Sequence, residues 1–257
     1  MRRTRVVLLG VLGAHLALGL PSAADSRDLD IRASDGVLLK GTFYSAGREG
    51  PGMLLLHQCN GDRTGWAALA EALTRKGINV LTFDYRGYGE SGGKPAATLS
   101  EEEGRAASAK WPDDVDAALA ALLAQPGVDR ARIGAGGASC GVHQSIQLAR
   151  RSGAIKALVL LSGGSKAFDE GRNFLGASPS LPIFGAASAE DGDAVGIMRR
   201  IVRLSTNRSS TLKTYNHAGH GVPMFDKEKS LLPAIADWLE SVLMPGGPPI
   251  HEPRPGS

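Results

Sequence analysis

From residue 28 onward, short β-rich runs alternate with longer stretches of helical periodicity, the pattern of parallel strands joined by crossover helices. The expected fold class is α/β. Runs over 28–33 and 37–45 are separated only by Ser34-Asp35-Gly36, a turn signal that predicts an antiparallel hairpin ahead of the parallel part. Residues 53–57 are continuously apolar, as in a strand buried on both faces. An amphipathic helix is predicted over 64–76, with Thr64 as its N-cap and Gly77 as its stop. The next strand covers 79–84, and Gly87, Gly89, Gly92 and Gly93 make 85–110 a long, partly irregular connection. Pro112 opens a helix with Asp113 and Asp114 in its first turn, where free N–H groups favour anions, and Pro126-Gly127 ends it. Further strands are predicted over 132–138, 156–161, 181–186 and 210–215, with helices near 141–152, 192–205 and 228–243. The sum is a mostly parallel eight-stranded sheet with helices on both faces.

The two ends of the chain do not join this pattern. Arg2, Arg3 and Arg5 precede an apolar run from Val6 to Leu20 that ends in Pro21-Ser22-Ala23-Ala24, the layout of a removable export signal over 1–24. The run is shorter than the roughly 18 apolar residues of a spanning helix, so a soluble periplasmic or secreted protein is expected, a retained anchor being the alternative. Residues 25–244 form one expected domain, and the Pro- and Gly-rich stretch 245–257 reads as a disordered tail. Charge changes with the signal: it holds three of the 29 basic residues and none of the 26 acidic ones, so the remainder is balanced. No basic face interleaved with aromatics is left to suggest nucleic acid.

The sharpest chemical signal is Gly137-Ala138-Ser139-Cys140-Gly141, which lies between a predicted strand and a predicted helix. A serine on a tight strand-to-helix turn needs small residues two places away on each side, and the helix N-terminus then points at its hydroxyl. Such a hydroxyl requires a base. Ala218-Gly219-His220-Gly221 follows the last predicted strand, and its glycines let His220 reach back. His217 is the competitor, and His143 reads as a packing or rim residue. A carboxylate should orient the imidazole, and Ser188-Ala189-Glu190-Asp191-Gly192-Asp193 offers three. Asp191 is preferred because it precedes a glycine at the strand end. Glu190 and Asp193 remain alternatives, the first as a solvated side chain and the second as a helix cap.

The order Ser139, acid, His220 on this alternation resembles the α/β-hydrolase superfamily over nearly all of 28–243. Phe83-Asp84-Tyr85-Arg86-Gly87-Tyr88-Gly89-Glu90-Ser91 is similar to that family's D-x-R-G-x-G-x-S segment, and Leu54-Leu55-Leu56-His57 to the strand before its His-Gly oxyanion loop. Gln58 departs from the pattern, standing where glycine is usual. The likeness is closest to small, capless esterases and the dienelactone-hydrolase-like branch, although the nucleophile position holds Ser139 and not cysteine.

The resemblance implies an oxyanion hole made by the backbone N–H of Cys140 and that of Cys59, with Gln58 as the fallback. The only two cysteines would then flank one hole, and a Cys59–Cys140 disulfide that stiffens it is the attendant hypothesis. Cys140 as nucleophile is the rival use. His57 and Asp84, at strand ends, are expected to bond loops beneath the site. Trp66 and Trp111 are placed near the rim and Trp238 in the core. Only 17 residues, 164–180, separate the sixth and seventh predicted strands, too few for a large helical cap. The expected reaction is hydrolysis of a small-molecule carboxylic ester through an acyl-enzyme, with no metal or organic cofactor implied. A peptidase or amidase of the same fold and a non-catalytic binding protein are the alternatives.

Overall fold

The computed structural model describes residues 25–244, so the expected export signal over 1–24 and tail over 245–257 lie outside the described residues. Eight strands form one sheet in the order β1-β2-β4-β3-β5-β6-β7-β8. β1 (Asp25–Arg32) and β2 (Leu38–Ser45) make the predicted hairpin, with Ile31 opposite Leu39 and Gly36 turning at φ +89°. β2 also runs antiparallel to β4 (Asn79–Phe83). The remaining pairings, through β3 (Gly50–Leu56), β5 (Val128–Ala138), β6 (Ile155–Leu161), β7 (Ile183–Ser188) and β8 (Thr211–Tyr215), are all parallel.

The continuous apolar run of β3 is explained by the two layers of helix. Leu54 and Leu56 face one core, and Met53 and Leu55 face the other, because successive side chains leave opposite faces of a strand. The first core is covered by α3 (Trp111–Leu123), α4 (Cys140–Ser152), α5 (Ser165–Ala177) and α6 (Ala194–Val202), through Val115, Ile146, Leu175 and Ile201. The second is covered by α1 (Ala67–Arg75) and α8 (Leu231–Leu243), through Leu69, Leu73, Ile235 and Leu239. Each such side chain contributes about 1.5–3 kcal/mol by leaving water. Two filled faces therefore leave the C-terminal edge of the strands as the place where loops are free to vary.

Several elements differ from expectation. The helix predicted over 64–76 is split into a 3₁₀ turn, Arg63–Trp66, followed by α1. Asp62, not Thr64, caps that turn: its carboxylate accepts the Thr64 N–H at 2.8 Å, which places Thr64 inside the turn. Trp66 is fully buried, not at the rim, and packs edge-on against Phe225 at 5.8 Å. Trp238 is core as expected, its Nε1–H donating to the Ser209 carbonyl at 2.6 Å.

The connection over 85–110 contains a helix, α2 (Glu101–Ser108), opened by a capping box in which Ser100 and Glu103 bond each other's backbone N–H. No residue of α2 is buried, so it lacks the apolar stripe that marks most helices, although the Ser-x-x-Glu start is present in the sequence. α5 also went unpredicted, being the single helix between β6 and β7; α7 (Met224–Lys227) is one short turn.

Asp113 and Asp114 begin α3 as expected, yet Asp114 does more than face the helix N-terminus. Its side chain is fully buried and accepts from the Arg86 backbone N–H at 3.2 Å and the guanidinium at 2.6 Å, joining α3 to the loop after β4. Burial pushes its carboxyl upward, and Arg86 opposes the shift. Removing one partner of a buried pair leaves the other charge desolvated and uncompensated. Asp114→Ala should therefore lower unfolding free energy by about 3 kcal/mol, read from the midpoint of urea denaturation.

Candidate active site

β5 delivers Ser139 to the head of α4 through a turn that only small residues permit. Ser139 has φ 53° and ψ −115°, a backbone setting that costs a non-glycine residue about 1–3 kcal/mol. A Cβ on Gly137 would lie 2.1 Å from the Gly141 carbonyl oxygen, and one on Gly141 would lie 2.4 Å from the Leu56 carbonyl oxygen. Both glycines are thus required by the approach of α4 to the ends of β5 and β3. The turn is held by Ser139 N–H to Leu161 O at 2.9 Å and by Val142 N–H to Ser139 O at 3.0 Å.

His220 and Asp191 are brought together from two loops. Nδ1 of His220 lies 2.8 Å from both carboxylate oxygens of Asp191, whose side chain is 17% exposed against 43% for the histidine. An acceptor at Nδ1 sets the tautomer with the proton there and the Nε2 lone pair free. No hydrogen bond joins His220 to Ser139 in this structure, His220 bonding only Asp191 among the described residues. The adjoining Gly221 nevertheless rests on the elbow, since a Cβ there would lie 3.5 Å from Cβ of Ala138. Bonds between nucleophile and base commonly tighten only with substrate in place.

The other acids and histidines have separate employment. Asp193 stands at the N-cap position of α6 but makes no capping hydrogen bond; its carboxylate lies 3.8 Å from Arg200. His217 is exposed and adopts φ 60°. His143 pairs with Glu170 of α5 at 2.8 Å at the rim of a cleft, and burial pushes its pKa down. That cleft has a volume of about 600 Å³ and opens beside Ser139 and Cys140, with Cys59, Arg105, Trp111 and Lys166 among its walls. Arg105 belongs to α2, so the connection after β4 lines the cleft.

Cys59 and Cys140 are joined in a disulfide, with Cα atoms 5.8 Å apart. Cys140 therefore holds no free thiol to act as a nucleophile. Its backbone N–H, the first of α4, and that of Cys59 have no acceptor among the described residues. Two unpaired donors thus lie on the two residues of one covalent bridge, next in sequence to Ser139 on one side.

A sequence profile of the alpha/beta hydrolase fold matches residues 51–217, well over half of the chain. The chain belongs to the alpha/beta hydrolase fold family. An uncharacterised Mycobacterium tuberculosis protein is 38% identical over 136 residues, covering 51% of this chain and 44% of that one. A thiohydrolase of Aspergillus aculeatus is 34% identical over 115 residues, 44% of this chain and 33% of its own length. The hydrolase-fold chain thus spans less than half the length of the curated relatives it matches. Among solved structures, a Pyrococcus furiosus esterase superposes with TM-score 0.63 at 20% identity, covering 86% of this chain and 91% of the esterase. A dienelactone hydrolase from Anabaena variabilis gives 0.62 at 16%, covering 86% and 99%. Likeness at that identity speaks to the fold.

In this hydrolase-fold chain, the loop carrying His220 has no regular structure, yet its amides are nearly all bonded by side chains that sequence reasoning left idle. His217 and Gly219 donate to Glu190, each at 2.7 Å; Ala218 donates to Ser188 Oγ at 2.9 Å; Gly221 to Ser162 Oγ at 3.0 Å; and Val222 to Gln58 Oε1 at 2.9 Å. Glu190, expected to be solvated, is the central staple and also accepts the Ser188 hydroxyl at 2.6 Å. Ser162 follows β6 at φ 55°, buried, and nothing local in the sequence marks it.

His57 and Asp84 are buried just past the ends of β3 and β4. Nε2 of His57 accepts the Tyr85 N–H at 3.1 Å, so Nδ1 carries the proton and donates to the Gln58 carbonyl at 2.7 Å, consistent with a pKa pushed down by burial. Asp84 accepts the backbone N–H of Arg63 at 2.6 Å and of Glu90 at 3.1 Å, and pairs with the Arg63 guanidinium. Gly89, at φ +49°, is needed there because a Cβ would lie 2.1 Å from Asp84 Oδ2. Among the described residues, no group of three or more His, Cys, Asp or Glu is placed to hold a metal ion, and no helix is long and apolar enough to cross a membrane.

The Ser188 hydroxyl first, then the loop N–H groups, draw the pKa of Glu190 from 4.5 to about 2. A lowered folded-state value means that its grip on the loop is complete above pH 4.5 and fades as pH falls toward about 2. The amide resonances of His217 and Gly219 should therefore titrate together with a midpoint near 2, and this step should vanish in Glu190→Gln.

Proposed function

We propose that this chain is an exported serine hydrolase that cleaves carboxylic esters through an acyl-enzyme. The observation that carries the reading is the backbone of Ser139, held at φ 53° at the mouth of a cleft of about 600 Å³ and at the N-terminus of α4. Local strain of this kind persists only where surrounding structure enforces it, and it aims the hydroxyl outward. Family membership, the His220–Asp191 contact and the two unpaired N–H groups support the same reading.

In the proposed reaction, the ester carbonyl enters the cleft with its oxygen toward the N–H groups of Cys59 and Cys140. His220 Nε2 takes the Ser139 proton as Oγ bonds the carbonyl carbon, and the charge gathering on the carbonyl oxygen is met by those two donors and the positive end of α4. Asp191 stabilises the imidazolium through Nδ1–H. Collapse breaks the bond to the alkoxy group, which leaves with the proton from His220. Water then repeats the sequence on the acyl-enzyme, its proton passing to His220 and its oxygen to the carboxylic acid, and Ser139 is regenerated.

Ester specificity is favoured over peptide cleavage by the open cleft, walled by α2 and the start of α5, with no large cap among the described residues to order an extended peptide. The thiohydrolase relative makes thioesters a second substrate class to include. Export is supported by the signal-like segment over 1–24 and by the disulfide, which oxidising compartments preserve.

A fluorophosphonate probe should label wild type at Ser139 and leave Ser139→Ala unlabelled. Nitrophenyl acetate and butyrate should be hydrolysed, with kcat falling at least about 10³-fold in Ser139→Ala, while aminoacyl anilides stay intact. Labelling that persists in Ser139→Ala, or preference for the anilides, overturns the proposal.

A further inference from the structure

Gln58 stands where the resemblance leads one to expect glycine, and the residue is buried, only 6% exposed. Its amide is engaged at both ends. Oε1 accepts the Val222 N–H at 2.9 Å, two residues beyond His220, and Nε2 donates to Asn60 Oδ1 at 2.7 Å, one residue beyond Cys59. Its backbone carbonyl accepts the His57 imidazole at 2.7 Å and the Gly61 N–H at 3.0 Å. The amide reaches Val222 only because position 221 is glycine: a Cβ there would lie 2.1 Å from Oε1, and φ is +67°. The next residue, Cys59, is bonded through its sulfur to Cys140, adjacent to Ser139.

We infer that Gln58 is a positioning residue for His220, and that the Cys59–Cys140 disulfide is the anchor against which it works. The inference rests on the proposed serine-hydrolase reading. The path runs from the elbow through Cys140, the disulfide and Cys59 to the Gln58 side chain, and from there to Val222 beside the base. It sets the loop of the base and the loop of the second oxyanion donor in one register relative to Ser139. The other loop staples, Glu190, Ser188 and Ser162, tie His220 to β6 and β7. Among the described residues, Gln58 supplies the hydrogen bond that ties it to the loop after β3 and hence to the disulfide.

The arrangement makes the site sensitive to thiols. Cys59 is exposed, so a dithiol can reach the bridge; it gives up two electrons and two protons, closes to its own cyclic disulfide, and leaves Cys59 and Cys140 as free thiols. Reduction removes no group from the proposed chemistry, since both backbone N–H donors remain. What it removes is the anchor.

The test uses oxidised and dithiothreitol-reduced protein, as wild type, Gln58→Leu and Gln58→Glu. With nitrophenyl acetate, Gln58→Leu should lower kcat about ten-fold with KM changed less than about two-fold, because geometry at the reacting atoms is lost while the cleft is intact. Reduction of wild type should produce a similar drop. Reduction of Gln58→Leu should add less than about two-fold, because the two form one unit. Gln58→Glu keeps an acceptor for the Val222 N–H and should recover most of the loss. A Gln58→Leu enzyme with wild-type kcat, or losses that simply multiply, overturns the inference. Hydrogen exchange over 217–222 supplies a readout that needs no turnover: Gln58→Leu and reduction should each speed it, without adding. Unchanged exchange sinks the brace, whereas faster exchange in a chain that hydrolyses no ester and takes no fluorophosphonate sinks the serine-hydrolase reading alone.

Discussion

The candidate site rests on one steric constraint, the seating of the first turn of α4 against the ends of β3 and β5. Gly141 meets the Leu56 carbonyl, and Gly137 meets the Gly141 carbonyl, at separations where a methyl group would overlap oxygen. That contact forces Ser139 into a backbone setting it would not otherwise hold, places it in the wall of the cleft and leaves the Cys140 N–H unpaired. It also brings Cys140 close enough to the loop after β3 for the disulfide to form. The two cores beneath supply the stability that such local strain requires.

The second requirement is an imidazole that stays in place on an irregular loop. Loop backbone must find hydrogen bonds without the repeating ladder of a strand or helix. Between His217 and Val222 the acceptors come from Glu190, Ser188, Ser162 and Gln58, carried by three different segments at the C-terminal edge of the sheet. The loop is therefore fixed by side chains, and its glycines serve approach as much as flexibility: Gly221 is crowded by Gln58 and could carry no Cβ there. Asp191 then has to orient only the imidazole, while Glu190 holds the backbone.

Beneath these loops, the Asp84-to-Ser91 segment works as stitching. Asp84 ties Arg63 and Glu90, Arg86 reaches Asp114 of α3, and the Ser91 hydroxyl donates to the Asp84 carbonyl at 2.6 Å. Buried charges are paired within this layer, so the polar residues of the motif hold three connections together, the structural role expected for Asp84. The helix that lines the cleft, α2, was invisible to periodicity because it buries nothing, and α5 because it buries little.

The sequence by itself determined the alternation of strands and helices, the antiparallel hairpin at the start, the apolar run of β3 with its two buried faces, and the glycine spacing around Ser139. Each of these is local: period, turn residues and steric need are written within a dozen neighbours. Which acid meets His220, what Glu190, Ser162 and Gln58 do, where Trp66 lies and whether Cys59 reaches Cys140 were decided only in the tertiary structure. Those are meetings of segments 27 to 164 residues apart, and the loops that bring them together follow from how helices pack on the sheet, a sum over the whole core that no short window of residues contains.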